Sequence, residues 1–328
     1  MPRRLKKLLV VGSLSLLPSQ AFAQTSGSAS IQSPSANEAQ RETSLATLAG
    51  HEVDFGIGGY KYVEPGDTSI SIHGPKFGAG YTGTIALNHV RHWFLQANAR
   101  GLFGSTTYDG WCSPFLITPD NRSPNGYALD LGDYSPCNES GDADWYVEGR
   151  ALVGKDFIGR TWGWSPDIGL GVRHLSNGTT GVAGYRTDEY LYLPIGITGR
   201  TVVGSHHALS FNLEYDHLLH GWQKTRDSQL GGGVVPATPI APAFTIEGFS
   251  DISFDQDSGW GLRAGAHYRL TRHWSVQPEY IHWNVSASNV NSETATFTVN
   301  GITARQQLGA YEPLNTTNEF TVKLGFRF

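Results

Sequence analysis

The sequence predicts an all-β fold, a transmembrane antiparallel up-and-down β-barrel of ten strands, with eight or twelve strands as alternatives. First, apolar and polar residues alternate in repeated segments of about ten residues, the length of a tilted strand that crosses a bilayer. Second, only 16% of the 328 residues are charged, whereas 40 are glycine and 12% are aromatic. Third, no apolar run beyond the N-terminus is long enough for a membrane-spanning helix. The formal net charge of −5 also argues against nucleic acid as a partner.

The N-terminus predicts export. A basic stretch that ends at Lys7 precedes the apolar run 8–17, and small residues flank Phe22 as a signal peptidase requires. Cleavage is therefore expected near Ala23. The following residues are rich in Ser, Ala and Gln, which is typical of a flexible segment. The chain is thus predicted to divide into a signal peptide (1–23), a flexible periplasmic segment (24–50) and a barrel domain (51–328).

Ten alternating segments make up the predicted barrel. In the last one Phe320, Val322 and Leu324 occupy one face, whereas Thr321 and Lys323 occupy the other. The predicted strands cover residues 51–62, 75–87, 93–104, 144–154, 163–174, 189–199, 208–219, 259–270, 274–284 and 318–328. Their connections alternate between short and long, as expected for tight turns at one membrane face and long loops at the other. An even number of strands places both ends of the barrel at the periplasmic face.

The long connections are predicted to be extracellular loops at 105–143, 175–188, 220–258 and 285–317. Cys112 and Cys137 both lie in the first loop, and an oxidising compartment favours a disulfide between them over two free thiols. Residues 231–242 are rich in Gly and Pro and are predicted to lack regular structure. Long loops on a rigid barrel favour binding of a molecule outside the cell, although their composition specifies no ligand.

The C-terminal segment Glu319–Phe328, with alternate apolar residues and a final aromatic, resembles the last strand of Gram-negative outer-membrane β-barrel proteins. The resemblance concerns architecture across residues 51–328. It implies a location in the outer membrane, with outer-membrane lipid and lipopolysaccharide as partners. It also implies recognition by the barrel-assembly machinery through the strand that ends at Phe328. A secreted β-sandwich is the alternative fold.

The aromatic surplus is predicted to form two belts at the headgroup levels of the membrane. The residues assigned to the periplasmic belt are Trp93, Trp162, Trp164 and Trp274. Those assigned to the opposite belt are Trp145, Tyr190 and Trp260.

The lumen is predicted to be filled with paired charges. Small barrels fill their interior with side chains, and isolated ions in such an interior would be costly to desolvate. The alternation places these charged residues inside: Glu52, Asp54, Arg100, Glu148, Arg150, Asp167, Arg173, Glu214, Asp216, Arg263, Arg269, Glu279, Lys323 and Arg327. We therefore expect a structural charge network, with inward glycines making room for it. A narrow selective conduit is the alternative.

One short motif suggests chemistry. His174-Leu-Ser-Asn177, at the outer end of the fifth predicted strand, resembles the local motif of outer-membrane lipid A 3-O-deacylases. The resemblance implies an ester hydrolase with Ser176 as nucleophile, His174 as base and Glu189 orienting the imidazole, with Asn177 as a candidate oxyanion donor. The alternation places His174, Ser176 and Glu189 on the lipid-facing side. The alternative is a polar loop start without catalytic function, because Asn-Gly is a strong turn signal.

A second enzyme hypothesis is an omptin-like surface protease, since omptins are also ten-stranded barrels and use Asp and His residues at the extracellular rim. The candidate residues are Asp142, Asp144, Asp216, His217 and His220. No spacing suggests a metal site, and no cofactor is expected. The leading functional prediction is an outer-membrane barrel with a packed lumen, long extracellular loops and a surface-interaction or envelope role.

Overall fold

The computed structural model describes residues 45–66, 69–88, 92–178, 185–203 and 207–328. The predicted signal peptide and residues 24–44 of the predicted flexible segment lie outside these residues. Within the described part of the chain, no helix combines the length and the hydropathy that crossing a membrane would require.

Ten long strands form the barrel, and all ten predicted strands are confirmed. They are β1 (Gly50–Glu64), β2 (Ile70–Asn88), β3 (Trp93–Cys112), β4 (Ser135–Lys155), β5 (Trp162–Asn177), β6 (Tyr185–Val203), β7 (His207–Arg226), β8 (Gly259–Arg269), β9 (Trp274–Val285) and β10 (Asn315–Arg327). Each strand pairs antiparallel with the next. The sheet closes because β1 pairs with β10, from Glu52 opposite Arg327 to Val63 opposite Thr316. A closed single sheet excludes the β-sandwich alternative.

Several strands extend beyond their predicted outer ends. Strand β4 begins at Ser135, nine positions before the predicted start at Asp144, because it continues to pair with β3 as far as Cys112. The hairpins therefore rise above the membrane-spanning part of the barrel. Alternation alone could not show this extension, since outside the bilayer both faces of a strand can be polar.

The outer face of the barrel is apolar, as predicted for a lipid-facing surface. Phe55 is 67% exposed, and many other large apolar side chains share its orientation. They include Ile57, Phe77, Ile85, Leu95, Phe103, Ile168, Leu170, Val172, Ile195, Ile197, Phe211, Leu213, Phe320, Val322 and Leu324. In water such a surface would promote association between molecules. In a bilayer the lipid chains are an apolar solvent that matches it.

One predicted member of the aromatic belts is wrong. Tyr190 lies on the inward face of β6, where its ring contacts Trp283 at 5.7 Å between centroids. Its outward neighbours on β6 are Glu189 and Leu191, so period-two alternation assigns Tyr190 to the lumen. Trp93, Trp162, Trp260 and Trp274 are exposed on the outer surface.

Side chains fill the lumen. An inward aromatic and aliphatic cluster comprises Leu102, Tyr146, Leu175, Tyr190, Tyr192, Leu218, Ile281, Trp283 and Val285. Gly171 makes room for it, because a Cβ at this position would collide with the ring of Tyr192. The lumen is therefore a packed interior, as expected for a barrel of this size.

The predicted charge network forms around Arg263, which is 1% exposed. Its guanidinium lies 2.6 Å from Glu148, 3.1 Å from Glu214 and 3.7 Å from Glu279. Arg100 bridges Glu148 at 2.6 Å and Glu279 at 2.8 Å. The network is completed by Arg150 on Glu214, Lys323 on Glu279 and, more distantly, Arg263 on Asp216.

Some predicted members of the network depart from it. Arg173 is buried but has no ion pair within the described residues, and it stacks on the ring of Tyr146 at 4.1 Å. Asp167 likewise makes no ion pair there. Arg269 and Arg327 lie lower in the barrel, where Arg327 is 3.9 Å from Glu52. Arg173 lies in the lumen as predicted, but its guanidinium lies over the rings of Tyr146 and Trp283, and Glu148 and Glu319 interact with it from beyond ion-pair distance.

A buried ion pair that the alternation did not single out joins Lys76 to Asp144. Both side chains are buried, and the ring of Tyr60 lies 4.4 Å from the ammonium. The amide of Asn177 donates to the same carboxylate at 3.1 Å. This pair extends the structural charge network toward the outer end of the lumen.

The periplasmic end is covered by part of the segment predicted to be flexible. Leu45 is 1% exposed, and Thr47 binds Asp156 through its backbone N–H at 2.8 Å and its hydroxyl at 2.6 Å. Arg327 donates to the carbonyls of Leu48 and Ala49, at 2.7 Å each. For residues 45–49 the prediction of flexibility is therefore wrong, because the barrel supplies partners that a local composition argument does not consider.

The opposite end carries a structured cap. We use this name for the hairpin Phe115–Pro119/Tyr127–Leu131, the four-stranded sheet of Gly233–Val235, Phe244–Phe249, Asn291–Val299 and Ile302–Ala310, and their connections. The predicted disulfide between Cys112 and Cys137 is present and joins β3 to β4 below the hairpin. The cap has its own apolar core, with Ala295, Phe297 and Val299 fully buried.

The cap corrects the prediction that residues 231–242 lack regular structure. Val234 and Val235 pair with Thr245 and Phe244 at the edge of the cap sheet. The prolines lie in the connection that follows, outside the pairing. Three paired residues are enough to extend a sheet whose buried face is already formed by longer strands.

Candidate outer-wall site

The candidate site lies on the outer surface of four adjacent strands, directly above the apolar band. Strand pairing brings Val147 opposite His174, His174 opposite Glu189, and Glu189 opposite Trp222. All four side chains point away from the lumen because they occupy the outward positions of the alternation. We call this surface, together with the adjoining Lys224, the outer-wall site.

The predicted pairing of His174 with Glu189 is observed. His174 Nδ1 lies 3.2 Å from Glu189 Oε1, and the ring of Trp145 lies 5.3 Å from the imidazole. Asp188, the neighbouring carboxylate, faces the lumen and is buried. A carboxylate that accepts from Nδ1 leaves Nε2 as the nitrogen able to accept a proton, which is the tautomer a general base needs.

Ser176 does not join this pair in the observed geometry. Its side chain is 0% exposed, and its hydroxyl forms a hydrogen bond with the phenol of Tyr185. Ser176 occupies an outward-facing position of β5, as predicted, but Tyr185 of β6 covers its side chain. The predicted triad is therefore present as a His174–Glu189 pair with the serine held separately.

Asn177 cannot support an oxyanion at this surface. It follows Ser176 and so points to the opposite face, where its amide donates to Asp144 Oδ2 at 3.1 Å inside the barrel. The predicted function of Asn177 is wrong for this reason. The amide stabilises the buried Lys76–Asp144 pair instead.

Two adjoining depressions meet at His174, Glu189 and Trp222. The upper one has a volume of about 810 Å³ and is lined by polar groups that include Tyr185, Lys224 and Arg226. The lower one, of about 480 Å³, is lined by Val147, Val172 and Leu191 among others. The surface thus changes from apolar to polar across the His174–Glu189 pair, and the polar part contains two cations.

The cations of the upper depression are held in place. Lys224 Nζ lies 3.0 Å from Asp251, and Arg226 lies over the ring of Tyr185 at 5.4 Å. Hydrogen bonds from Ser228 and from Lys224 keep the pKa of Asp251 below its usual range. Glu189 and Asp255 also line the depression, so its two cations lie among carboxylates and the surface is polar and mixed in charge.

A β-bulge produces this arrangement. In β7 the register shifts between Leu218 and His220, so Leu219 is an extra residue relative to β6. Even-numbered residues face the lumen below the bulge, whereas above it Trp222, Lys224 and Arg226 face outward. Regular alternation continued from β7 would have assigned these residues to the lumen, which is why the sequence did not reveal them.

The residues of the protease hypothesis do not come together. Asp142 and Asp144 are buried on the inward side, and Asp216 lies in the lumen beside Arg263. His217 is exposed on the outer surface, and His220 pairs with Asp257 at 2.9 Å and Asp255 at 3.4 Å. The carboxylates and imidazoles therefore lie on opposite sides of the barrel wall.

Comparisons with known proteins give similar architectures. No protein-family model matches the sequence, and no curated protein matches it significantly. The outer-membrane protease OmpT from Escherichia coli is 10% identical over 86% of this chain and 99% of its own, with a TM-score of 0.49. An outer-membrane channel from Pseudomonas putida F1 is 11% identical over 90% and 100%, with a TM-score of 0.37. Ail of Yersinia pestis is 10% identical over 86% and 100%, with a TM-score of 0.25.

Identity at this level shows nothing about activity, so the assignment of the chain depends on its own architecture. Ten antiparallel strands close into one sheet, the outer face is apolar and the interior carries the charges. In this arrangement the backbone hydrogen-bonding groups of every barrel strand are paired within the bilayer, and the apolar outer face matches the surrounding lipid. The chain has the fold of a β-barrel protein of the Gram-negative outer membrane.

Proposed function

We propose that this protein is a non-conducting outer-membrane barrel that binds lipopolysaccharide at the outer-wall site. The observation that carries the proposal is the change, across His174 and Glu189, from an apolar depression to a polar one that presents Lys224 and Arg226. An amphiphile with acyl chains and a phosphorylated headgroup matches both halves of this surface.

The apolar half is suited to acyl chains. Val147, Val172 and Leu191 line the lower depression and continue the lipid-facing band of the barrel. A concave apolar surface contacts a chain on several sides, so it holds lipid better than a flat one does. Trp222 lies at the boundary between the two halves, where an indole with an apolar body and a polar N–H is favoured.

The polar half presents two cations that are suited to phosphate. Lys224 and Arg226 follow Trp222 at alternate positions on β7, so both project above the apolar band. Guanidinium and ammonium groups are the usual protein partners of phosphate oxygens. In an outer membrane, lipid A phosphates lie at the corresponding level of the outer leaflet.

A channel function is disfavoured by the lumen. Tyr146, Tyr192 and Trp283 fill it together with the Arg263 network, and all four side chains are below 2% exposed. Opening a path would break ion pairs that are costly to separate in a buried setting. We therefore expect no single-channel conductance in planar bilayers, and regular conducting events would contradict the closed lumen.

Lipid binding can be tested by replacing Lys224 and Arg226 together with Gln. Each cation near an anionic headgroup contributes on the order of 1 kcal/mol, so the double variant should bind purified lipopolysaccharide at least tenfold more weakly. Native mass spectrometry of the protein released from nanodiscs would count retained lipids. Phosphatidylglycerol, which also carries phosphate but has two acyl chains, would be compared as the competing source of the same headgroup chemistry.

A matched control is available at the other membrane face. Lys155, beside Trp93, and the exposed Arg160 lie at the periplasmic end, where an outer-leaflet lipid has no access. Replacing both with Gln removes the same charge and should leave lipopolysaccharide retention unchanged. Equal losses in the two double variants, or no loss in either, would overturn the proposal.

Ester hydrolysis of bound lipid A is a second candidate function. The observation that favours it is the His174–Glu189 hydrogen bond at the lipid face, which supplies a base and its orienting carboxylate. Ser176 would act as the nucleophile after Tyr185 moves aside and frees its hydroxyl. The serine oxygen would then bond to the ester carbon while His174 takes the serine proton, and the ester C–O bond would break as His174 passes that proton to the leaving alkoxide. Water, deprotonated by His174, would then attack the acyl-serine, release the fatty acid and return the proton to the serine oxygen.

The hydrolase function would be tested in cells that overexpress the protein. Mass spectrometry of extracted lipid A should show loss of one ester-linked acyl chain with the wild type but not with Ser176→Ala or His174→Ala. Lipopolysaccharide binding would be measured on the same variants. An unchanged lipid profile with the wild type would exclude hydrolysis, while retained binding would leave the lipid-binding function intact.

The ends of the chain support the proposed location. We propose that the N-terminal signal peptide is removed near Ala23 and that the barrel-assembly machinery recognises β10 and Phe328. Phe328 lies at the outer surface of the closing β1–β10 seam. N-terminal sequencing of protein extracted from the outer membrane should begin at Gln24, and an unprocessed Met1 would contradict cleavage.

A further inference from the structure

A cavity of about 460 Å³ lies between the cap and the outer ends of β6 and β7. Its walls come from the disulfide-anchored hairpin, the cap sheet, these two strand ends and the chain that follows β7. Its lining has Phe254 in common with the outer-wall site and is otherwise separate from it. Pockets for small molecules commonly measure about 300–1,000 Å³, so this volume accommodates one small molecule.

The lining of the cavity is mainly apolar. Aromatic rings face it from three elements, since Phe115 belongs to the hairpin, Phe249 to the cap sheet and Phe254 to a short strand paired with β7. The other apolar residues of the lining are Leu129, Leu131, Leu230, Ile252, Leu308, Ala310 and Tyr311. Exposed positions of the cap sheet, by contrast, include Glu247 and Gln307. The sheet thus places aromatic and aliphatic side chains against the cavity.

The hairpin wall is fixed to the sheet wall by a two-way amide contact. Gln306 accepts a hydrogen bond from Leu129 N at 2.7 Å and donates one to Leu129 O at 2.8 Å. The rings of Phe115 and Phe249 lie 5.3 Å apart across the same boundary. These contacts form the cavity without a ligand, because its opposite walls are tied to each other at the side.

The polar groups at the floor of the cavity are bound to other groups of the protein. Arg186 lies 3.4 Å from Glu64 and 3.3 Å from Glu312. Glu312 also accepts hydrogen bonds from Tyr62 at 2.7 Å and from Gln223 at 2.8 Å. A ligand would have to break these contacts to gain a polar partner at the floor. The surface that it can contact without such a loss is the apolar one.

The rim of the cavity is also apolar. Leu131 and Tyr311 both line it, and they are 49% and 56% exposed. Both belong to the cap side of the chain, beyond the lipid-facing band, so water contacts their hydrocarbon surface. Removing apolar surface from water is favourable, and a molecule seated in the cavity would cover part of this rim.

We propose that this cavity binds one small uncharged molecule with an aromatic or branched hydrocarbon body, taken up from outside the cell. The body would contact the rings of Phe115, Phe249 and Phe254, and the rim side chains would lose contact with water on binding. The site is distinct from the lipopolysaccharide site proposed on the outer wall and does not depend on it.

The lining disfavours other classes of ligand. Its charged residues are Asp130, Arg186, Asp227, Glu293 and Glu312, so carboxyl groups predominate and would repel a fatty acid or a phosphorylated lipid. A permanent cation would lose its water of hydration against walls that are mostly hydrocarbon. Among the described residues, no cluster of three or more His, Cys, Asp or Glu side chains is arranged to hold a metal ion.

Binding would be measured by isothermal titration calorimetry on the full chain in nanodiscs, with 2-phenylethanol as the probe. Nanodiscs without protein would give the heat of partitioning of the probe into lipid, which is subtracted. The wild type should show saturable binding of one molecule per chain. 3-Phenylpropionate and 2-phenylethylammonium, which share the ring but carry a charge, should bind about tenfold more weakly or not at all.

Ala310→Trp fills the cavity from its wall and should abolish binding of 2-phenylethanol. Gln307→Trp adds the same side chain at an exposed position of the same strand and should leave the affinity unchanged. Leu308→Ala enlarges the cavity, so it should shift the preference from 2-phenylethanol to the larger 2-(2-naphthyl)ethanol. A merely damaged cap would lose affinity for both alcohols, whereas an enlarged site gains affinity for the larger one.

Three results would overturn the proposal. The first is the absence of saturable heat with the wild type. The second is equal affinity in the two tryptophan variants, or an unchanged size preference in Leu308→Ala. The third is tighter binding of either charged analogue than of 2-phenylethanol, since charge and not the apolar wall would then select the ligand.

Discussion

The lumen and the cap both bury carboxylates, but the two regions neutralise them differently. In the lumen, Glu148 lies 2.6 Å from Arg263 and 2.6 Å from Arg100, so this buried charge faces two cations of the same chain. In the cap, burial and the charge of Asp227 raise the pKa of Glu293 to about 7, so a proton neutralises part of its charge. Most lumen carboxylates are thus neutralised by arginine or lysine, with Asp167 as an exception, whereas Glu293 in the cap is neutralised in part by a proton.

This difference shows two ways in which the fold removes negative charge from its interior. Buried ion pairs that satisfy each other hold strands in place and leave no open valence for a ligand. A carboxyl group that takes up a proton loses its charge without any ion pair, and the neutral form is then favoured by burial. Charge in the interior of this protein is therefore informative only when its partners are considered.

The largest effect is expected from breaking the lumen network at Arg263. Replacing Arg263 with Met leaves Glu148 and Glu214 without their closest shared cation, and breaking a buried pair from one side costs about 3–5 kcal/mol. The free energy of unfolding in urea, measured in lipid vesicles, should fall by this amount.

Arg305→Met is the matched control, because Arg305 is exposed on the cap sheet and the same change there should leave the stability within about 0.5 kcal/mol. If the two variants unfold at the same urea concentration, the lumen charges do not stabilise the barrel and the contrast between lumen and cap fails.

An intermediate effect is expected from the disulfide, which belongs to the cap side of the comparison. Replacing Cys112 and Cys137 with Ser removes the link between β3 and β4 below the hairpin. A link of this loop length contributes roughly 2–4 kcal/mol, and here it acts on local opening of the hairpin at 115–131. Hydrogen exchange should accelerate at Ile117 and Leu129 and remain unchanged in β8 and β9. Faster exchange throughout the barrel would show that the cap is not an independent unit.

The smallest effect is expected from pH at Glu293. Its folded pKa of about 7 lies above the ordinary value of 4.5, so the folded cap favours the protonated carboxyl. Cap stability should therefore fall as the pH rises from about 4.5 to 7 and stay level above that range. Because the side chain is only half-buried, solvent screening limits the loss to roughly 1 kcal/mol.

Glu293→Gln should abolish this slope, which hydrogen exchange of Phe297 and Val299 at pH 5 and pH 8 would measure. Glu247→Gln should preserve it. A slope that persists in Glu293→Gln would assign the titration to another group.

The barrel was predictable because lipid and lumen impose opposite demands on neighbouring residues. Phe320, Val322 and Leu324 alternate with polar residues over a bilayer's thickness, and the other predicted strands repeat this pattern between turns. The cap was missed although part of it was visible: Ala295, Phe297 and Val299 alternate before Asn300-Gly301, and both turn residues have positive φ. Asn-Gly between alternating segments is a strong hairpin signal, and the amino-acid composition of the loop does not reveal it.

Only those features of the outer-wall site that follow from the inside–outside alternation of side chains along a strand were predictable. Parity places His174 and Glu189 on one face, and simple antiparallel pairing brings them into contact. Parity also places Ser176 there, but it cannot show that Tyr185 covers the serine. The contact of Gln306 with Leu129 joins residues 177 positions apart, and no local pattern encodes it.

The extra residue at Leu219 has a consequence for how this surface tolerates change. It reverses the phase of β7 part-way along its length, so one strand obeys two opposite inside–outside rules. Deleting a single residue there would turn Trp222 and Lys224 inward and expose Gln223 and Thr225 to lipid. Substitutions along this strand are small changes, whereas a one-residue insertion or deletion would turn the outer end of the strand inside out.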